Sequence, residues 1–109
     1  MNFAPAKPIE YTEILYSKAD WIARITLNRP QNYNAYSTNT LIELAAAFRQ
    51  AAFDDEVAVI VYTGAGDRAF CTGGDVKEYE STYTKSPHDY WKYMGLFSAY
   101  IESILNSGK

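Results

Sequence analysis

The order of segments predicts an α/β domain. Two strand-like stretches, a helix, an apolar strand and two further helices follow one another across 109 residues. Three observations carry this. In "WIARITL", Trp21, Ala23, Ile25 and Leu27 alternate with Ile22, Arg24 and Thr26, the period of a strand with one well-buried face. Residues 57–64, "VAVIVYTG", form an almost unbroken apolar run, the texture of a strand covered on both faces in a parallel or mixed sheet. Between them, Leu41, Leu44, Ala45, Phe48 and Ala52 recur at helical spacing.

Each element has its own justification. Residues 1–8, with Pro5 and Pro8, read as an extended arm, and 9–109 as the domain. "IEYTEILYS" (9–17) is expected to be the first strand, with Ser17 to Asp20 as the turn into the second. "NRPQNYNAY" is a polar loop containing proline. Ser37 is a plausible N-cap for a helix that runs to about Ala52. "GAGDR" is a turn, and "AFCTGGD" leads into a short helix beginning near Asp75. Ser86, Pro87 and Asp89 form a weak capping box for a last helix. Its apolar stripe is expected to be Trp91, Met94, Phe97, Ile101, Ile104 and Leu105, with Gly108 as the C-cap. The strand at 57–64 has few later strands to lie beside, which predicts an incomplete domain.

Composition removes several functional classes. A net charge of −3 argues against nucleic-acid and anionic-membrane surfaces. No signal-peptide h-region is present, and no run approaches the ~20 apolar residues of a spanning helix. The single cysteine, Cys71, excludes an internal disulfide and fits a reducing, cytoplasmic setting. With one histidine and one cysteine, no metal site is expected. Ten tyrosines suit a core, an oligomer face or a ligand pocket equally well.

The stretch "RAFCTGGDVKEY" (68–79) carries the chemistry. Two glycines, Gly73 and Gly74, stand before an aspartate that opens a helix. Bare backbone there lets a ligand reach unpaired N–H groups, which suits a group that becomes an oxyanion during reaction. The alternative is a turn that needs positive φ, with Asp75 as an ordinary N-cap.

Taken together, "ITLNRPQNYNAYS", a helix and "VIVYTGAGDRAFCTGGDVKEY" resemble the first part of the crotonase (enoyl-CoA hydratase/isomerase) superfamily, from about Trp21 to Val76. The resemblance implies a crotonase-like ββα-spiral fold, of which this sequence would hold the N-terminal part only. It places Gly74 as one of two backbone donors to the oxygen of an acyl-CoA thioester. The loop from Arg29 to Ala35, with Asn34-Ala35 matching best, becomes the candidate coenzyme A contact, and Thr72, Gly73 and Asp75 flank the same site. Coenzyme A enters as part of the substrate, with no separate cofactor, and the full-length protein is expected to be a trimer or hexamer. The tyrosine-rich segment after Lys77 resembles that of the ring-opening hydrolases of the family. Those enzymes act on a cyclic acyl-CoA in anaerobic benzoyl-CoA degradation.

Nothing in the sequence matches the family's second oxyanion donor or its water-activating acids. The chain is therefore expected to be an N-terminal fragment, inactive alone. A nucleotide-binding module fails on detail, since no G-x-G-x-x-G or G-x-x-x-x-G-K-[ST] exists. A non-catalytic scaffold of the same fold remains open. Cys71 is expected to pack under the loop, His88 to be solvated, and Asp75 to cap rather than to exchange protons. Tyr79, Tyr83, Tyr90, Trp91 and Tyr93 are either the wall of a pocket for a flat ring or packing groups.

Overall fold

In the computed structural model, which describes residues 9–109, strand β1 (Ile14–Ala19) leads into β2 (Ile22–Leu27). A 3-10 turn (Pro30–Asn32), helix α1 (Thr38–Phe53) and strand β3 (Val59–Gly64) follow. Helix α2 (Val76–Ser81), a second 3-10 turn (Tyr83–Lys85) and helix α3 (Pro87–Leu105) complete the order. The sheet runs β1-β2-β3, with β1 antiparallel to β2 and β2 parallel to β3. The arm assigned to residues 1–8 lies outside the described residues.

The first strand starts at Ile14 rather than residue 9. The Glu43 carboxylate accepts from the Thr12 and Glu13 amides, which diverts them from the sheet ladder. The hairpin turn is also tighter than expected. Asp20 and Trp21 both take positive φ (54° and 69°), the geometry of a two-residue connection whose twist matches its strands. Trp21 therefore sits in the turn, 61% exposed, while Ala23, Ile25 and Leu27 are fully buried.

Helix α1 begins as its sequence dictates. The Ser37 hydroxyl accepts from the Thr40 amide and Thr40 returns the bond to the Ser37 amide. Its buried face is Leu41, Leu44, Ala47, Phe48 and Ala51, so Ala47 and Ala51 replace Ala45 and Ala52 in the stripe. The Lys109 ammonium donates to the Ala51 and Asp54 carbonyls at the far end, where cations complement a helix terminus.

Several expectations differ from the structure. Among the described residues β3 pairs with β2 alone and none of its residues is fully buried, so it is not a strand covered on both faces. An apolar run cannot distinguish a central strand from an edge awaiting a neighbour. On α3 the buried residues are Tyr93 and Tyr100, with Leu96, Phe97 and Ile104 packed beside them. Trp91, Met94, Ile101 and Leu105 are exposed. The tyrosines can face inward because their hydroxyls find partners, Tyr62 for Tyr100 and Tyr79 for Tyr93. The capping box of α3 does not form, because the Ser86 hydroxyl donates to the Asp89 carboxylate and caps no backbone amide. The C-cap is Asn106, and Gly108 takes positive φ two residues later.

Candidate functional site

Three segments converge at one end of the sheet: the loop after β2, the turn after β3 and the approach to α2. Asn34 joins the first two. Its side chain accepts from the Arg29 amide (3.0 Å) and donates to the carbonyls of Ala65 (2.9 Å) and Ala69 (2.8 Å). It is 1% exposed, so these bonds satisfy a polar group that water does not reach. A Cβ built on Gly64 overlaps the Phe70 carbonyl and approaches the Asn34 amide, which explains a glycine at the end of β3. The loop and turn enclose a cleft of about 230 Å³, with Pro30, Tyr33, Gly66 and Arg68 among its walls. The Arg68 guanidinium lies 5.9 Å from the Tyr33 ring centroid.

Arg29 joins the loop to the third segment. Its guanidinium bonds the Asp75 carboxylate at 3.0 Å, lies 3.8 Å from Glu13, and donates to the Ala35 carbonyl. The side chain is 14% exposed, so it braces the site from inside. Burial pushes the Asp75 carboxyl up. The Arg29 hydrogen bond and charge and the Glu78 and Lys77 amides outweigh that and hold its pKa below the ordinary value. Asp75 is also the N-cap of α2, accepting from Lys77 (3.0 Å) and Glu78 (3.4 Å). Thr72, exposed, donates to the Tyr33 carbonyl across the loops (3.1 Å).

The two glycines have different reasons. Gly73 takes φ +97°, a conformation that side chains rarely adopt. Gly74 does not, but a Cβ there overlaps the Tyr79 hydroxyl. Tyr36 bonds both neighbours of Gly74. Its amide donates to the Gly73 carbonyl and its carbonyl accepts from the Asp75 amide, each at 2.9 Å. A parallel bridge of this kind leaves the bridged residue's own N–H pointing away from the partner. No hydrogen bond among the described residues uses the Gly74 N–H.

The structure thus brings Arg29, Asn34, Ala35, Thr72, Gly73, Gly74 and Asp75 together. It turns the Arg29 and Asn34 side chains inward and leaves the Gly74 amide without a partner among the described residues. Cys71 is half-buried against the core, and His88 is exposed and stacked on Trp91. Two contributors escaped sequence reasoning. Arg68 lies in a turn that carries no motif, and nothing local separates Tyr79 from the other tyrosines or marks its approach to Gly74. Among the described residues, no group of three or more His, Cys, Asp or Glu is placed to hold a metal ion. No helix there is long and apolar enough to cross a membrane.

This geometry coincides with a shared architecture. Residues 17–103 match the model of the enoyl-CoA hydratase/isomerase family, and the chain belongs to that family. It is 44% identical over 87 residues to a 6-oxocyclohex-1-ene-1-carbonyl-CoA hydrolase of Geobacter metallireducens, covering 80% of this chain and 23% of that protein. A protein of the same description from Thauera aromatica is 44% identical over 85 residues, covering 78% and 22%. The structure superposes on an enoyl-CoA hydratase/carnithine racemase from Magnetospirillum magneticum with a TM-score of 0.83 at 26% identity, covering 90% of this chain and 36% of that one. An enoyl-CoA hydratase/isomerase from Xanthobacter autotrophicus Py2 matches at 44% identity and a TM-score of 0.63, covering 68% and 27%. The fold is therefore crotonase-like. The chain spans about a quarter of the length of the curated relatives it matches.

Proposed function

We propose that this chain forms part of an acyl-CoA enzyme in which the Gly74 N–H donates to the thioester oxygen and stabilises the negative charge that gathers there. The single observation that carries the reading is the unpaired Gly74 amide, held in place by the Tyr36 bonds on either side. A donor fixed before reaction needs no reorganisation as charge develops, and one such donor is worth roughly 2.7–4 kcal/mol of barrier. Coenzyme A would run along the 29–35 loop and the cleft beside Arg68, entering as part of the substrate.

The relatives' description supports hydrolysis of 6-oxocyclohex-1-ene-1-carbonyl-CoA as the reaction, and we propose that it opens the ring, as in benzoyl-CoA degradation. A general hydratase/isomerase is the second reading, favoured by the solved enoyl-CoA hydratases on which the structure superposes. The full-length protein is proposed to be a cytoplasmic trimer or hexamer, with the second oxyanion donor and the water-activating acid outside this chain.

Isothermal titration of the full-length protein separates this reading from its rivals. Acyl-CoA thioesters should bind, while NAD and ATP should not. Preference for either nucleotide defeats the assignment. The pair Gly74→Pro and Gly74→Ala then isolates the amide. Both place a Cβ against the Tyr79 hydroxyl, but only proline removes the N–H. The expected outcome is a kcat for the proline variant about 100-fold or more below that of the alanine variant.

A further inference from the structure

Tyr79, whose hydroxyl lies beside Gly74, belongs to a cluster of tyrosines. Tyr83 and Tyr93 stand 4.7 Å apart between ring centroids, Tyr79 and Tyr93 5.3 Å, and Tyr90 and Tyr93 6.3 Å. Tyr79, Tyr83, Thr84 and Tyr90 line an open cleft of about 420 Å³. That volume lies within the range of roughly 300–1,000 Å³ usual for small-molecule sites. At these spacings the rings already touch one another, so a flat guest would meet them from the open side of the cleft, by offset or edge-on contact.

The hydroxyl protons show where such a guest is gripped. The Tyr83 hydroxyl is engaged by Thr38. Tyr79 and Tyr93 bond each other at 2.7 Å, and neither hydroxyl has another partner among the described residues. Two hydroxyls carry two protons, and their mutual bond uses one. Tyr93 is 1% exposed, so a proton left unpaired on it carries the full desolvation penalty. Tyr93 is therefore the donor of the pair, and the Tyr79 proton is left to point elsewhere. Tyr79 lines the cleft, and its hydroxyl fills the space where a Cβ on Gly74 would lie.

We infer that Tyr79 is a specificity-determining residue that donates its hydroxyl proton to a ring oxo oxygen of a planar cyclic acyl group lying in the tyrosine cleft. The inference rests on the acyl-CoA reading of Gly74. Because the Tyr79 hydroxyl lies beside Gly74, a thioester carbonyl bound at that amide would place an oxo oxygen on the adjoining ring carbon within reach of it. A linear acyl group, or a ring without the oxo oxygen, offers no acceptor there. Tyr93 is then a positioning residue, orienting the Tyr79 hydroxyl through its own proton.

The test is titration of the full-length protein and its Tyr79→Phe variant with three coenzyme A thioesters: an oxo-cyclohexene-carbonyl, a cyclohexene-carbonyl and a linear enoyl. Tyr79→Phe should weaken the oxo-ring thioester about threefold to tenfold and leave the other two unchanged. Tyr93→Phe should give the same selective loss at smaller size, and it tests the idea independently should the first variant fail to fold. Equal weakening of both rings, or none, overturns the inference while leaving the Gly74 reading intact. Failure of every thioester to bind the wild-type protein strikes the Gly74 reading itself and this inference with it.

Discussion

The loop at 29–35 and the segment at 71–75 face each other across the site, and they are built on opposite terms. In the loop, polar side chains are turned inward and bonded, with Asn34 holding three backbone groups and Arg29 reaching Glu13, Ala35 and Asp75. In the 71–75 segment, backbone bonds fix Gly73 and Asp75 and leave the amide between them without a partner. A site needs both kinds of region. The bonded loop supplies rigidity, and the segment it steadies offers a donor that does not have to break a bond before binding.

That contrast predicts unequal costs. Asn34→Ala should be the most damaging, because it strands the Arg29 amide and the Ala65 and Ala69 carbonyls and puts alanine at φ +57°. About 3 kcal/mol of stability is the expected loss in urea unfolding, since each stranded buried group costs roughly 1–3 kcal/mol. A loss below about 1 kcal/mol would mean that water replaces the Asn34 side chain.

Asp75→Asn should cost less, about 1 kcal/mol, because asparagine can still cap α2 but the charge that meets Arg29 and the helix N-terminus is lost. Its signature is pH dependence. The folded-state pKa of Asp75 is lowered, so its stabilisation is present above the ordinary aspartate value of about 4 and fades as pH falls through the lowered one. The wild-type advantage over Asp75→Asn should therefore be constant near neutrality and shrink in acid. An advantage that grew on acidification would reverse the sign assigned to Arg29. The smallest effect belongs to Thr72→Ala, which removes one exposed hydrogen bond and should change stability by less than about 0.5 kcal/mol. A larger loss would show that the two loops depend on that bond.

The same contrast marks what could be read in the sequence. The Ser37 cap, the Asp75 cap and the alternation in β2 depend on neighbours within a few residues, and each is legible in the sequence. The residues that gather at one end of the sheet are those the family resemblance groups, but their orientations are not legible in the sequence. Nothing local reveals that Asn34 reaches carbonyls more than thirty positions away, or that Arg29 meets Asp75. Of the α3 stripe, Phe97 and Ile104 pack against the core as expected, but the buried positions are the tyrosines Tyr93 and Tyr100. A hydrophobic pattern underrates tyrosine unless the partner of its hydroxyl is known. For β3 the misreading concerned neighbours, which an apolar run does not specify.

The role given to the Gly74 amide can be tested without disturbing Tyr79, by replacing the Gly73–Gly74 peptide bond with an ester in the full-length protein. The substitution deletes one N–H and adds no atom on the side where Tyr79 lies. Turnover of the acyl-CoA substrate should fall about 100- to 1,000-fold while thioester binding stays nearly the same. An unchanged kcat would contradict the account and remove Gly74 from the chemistry.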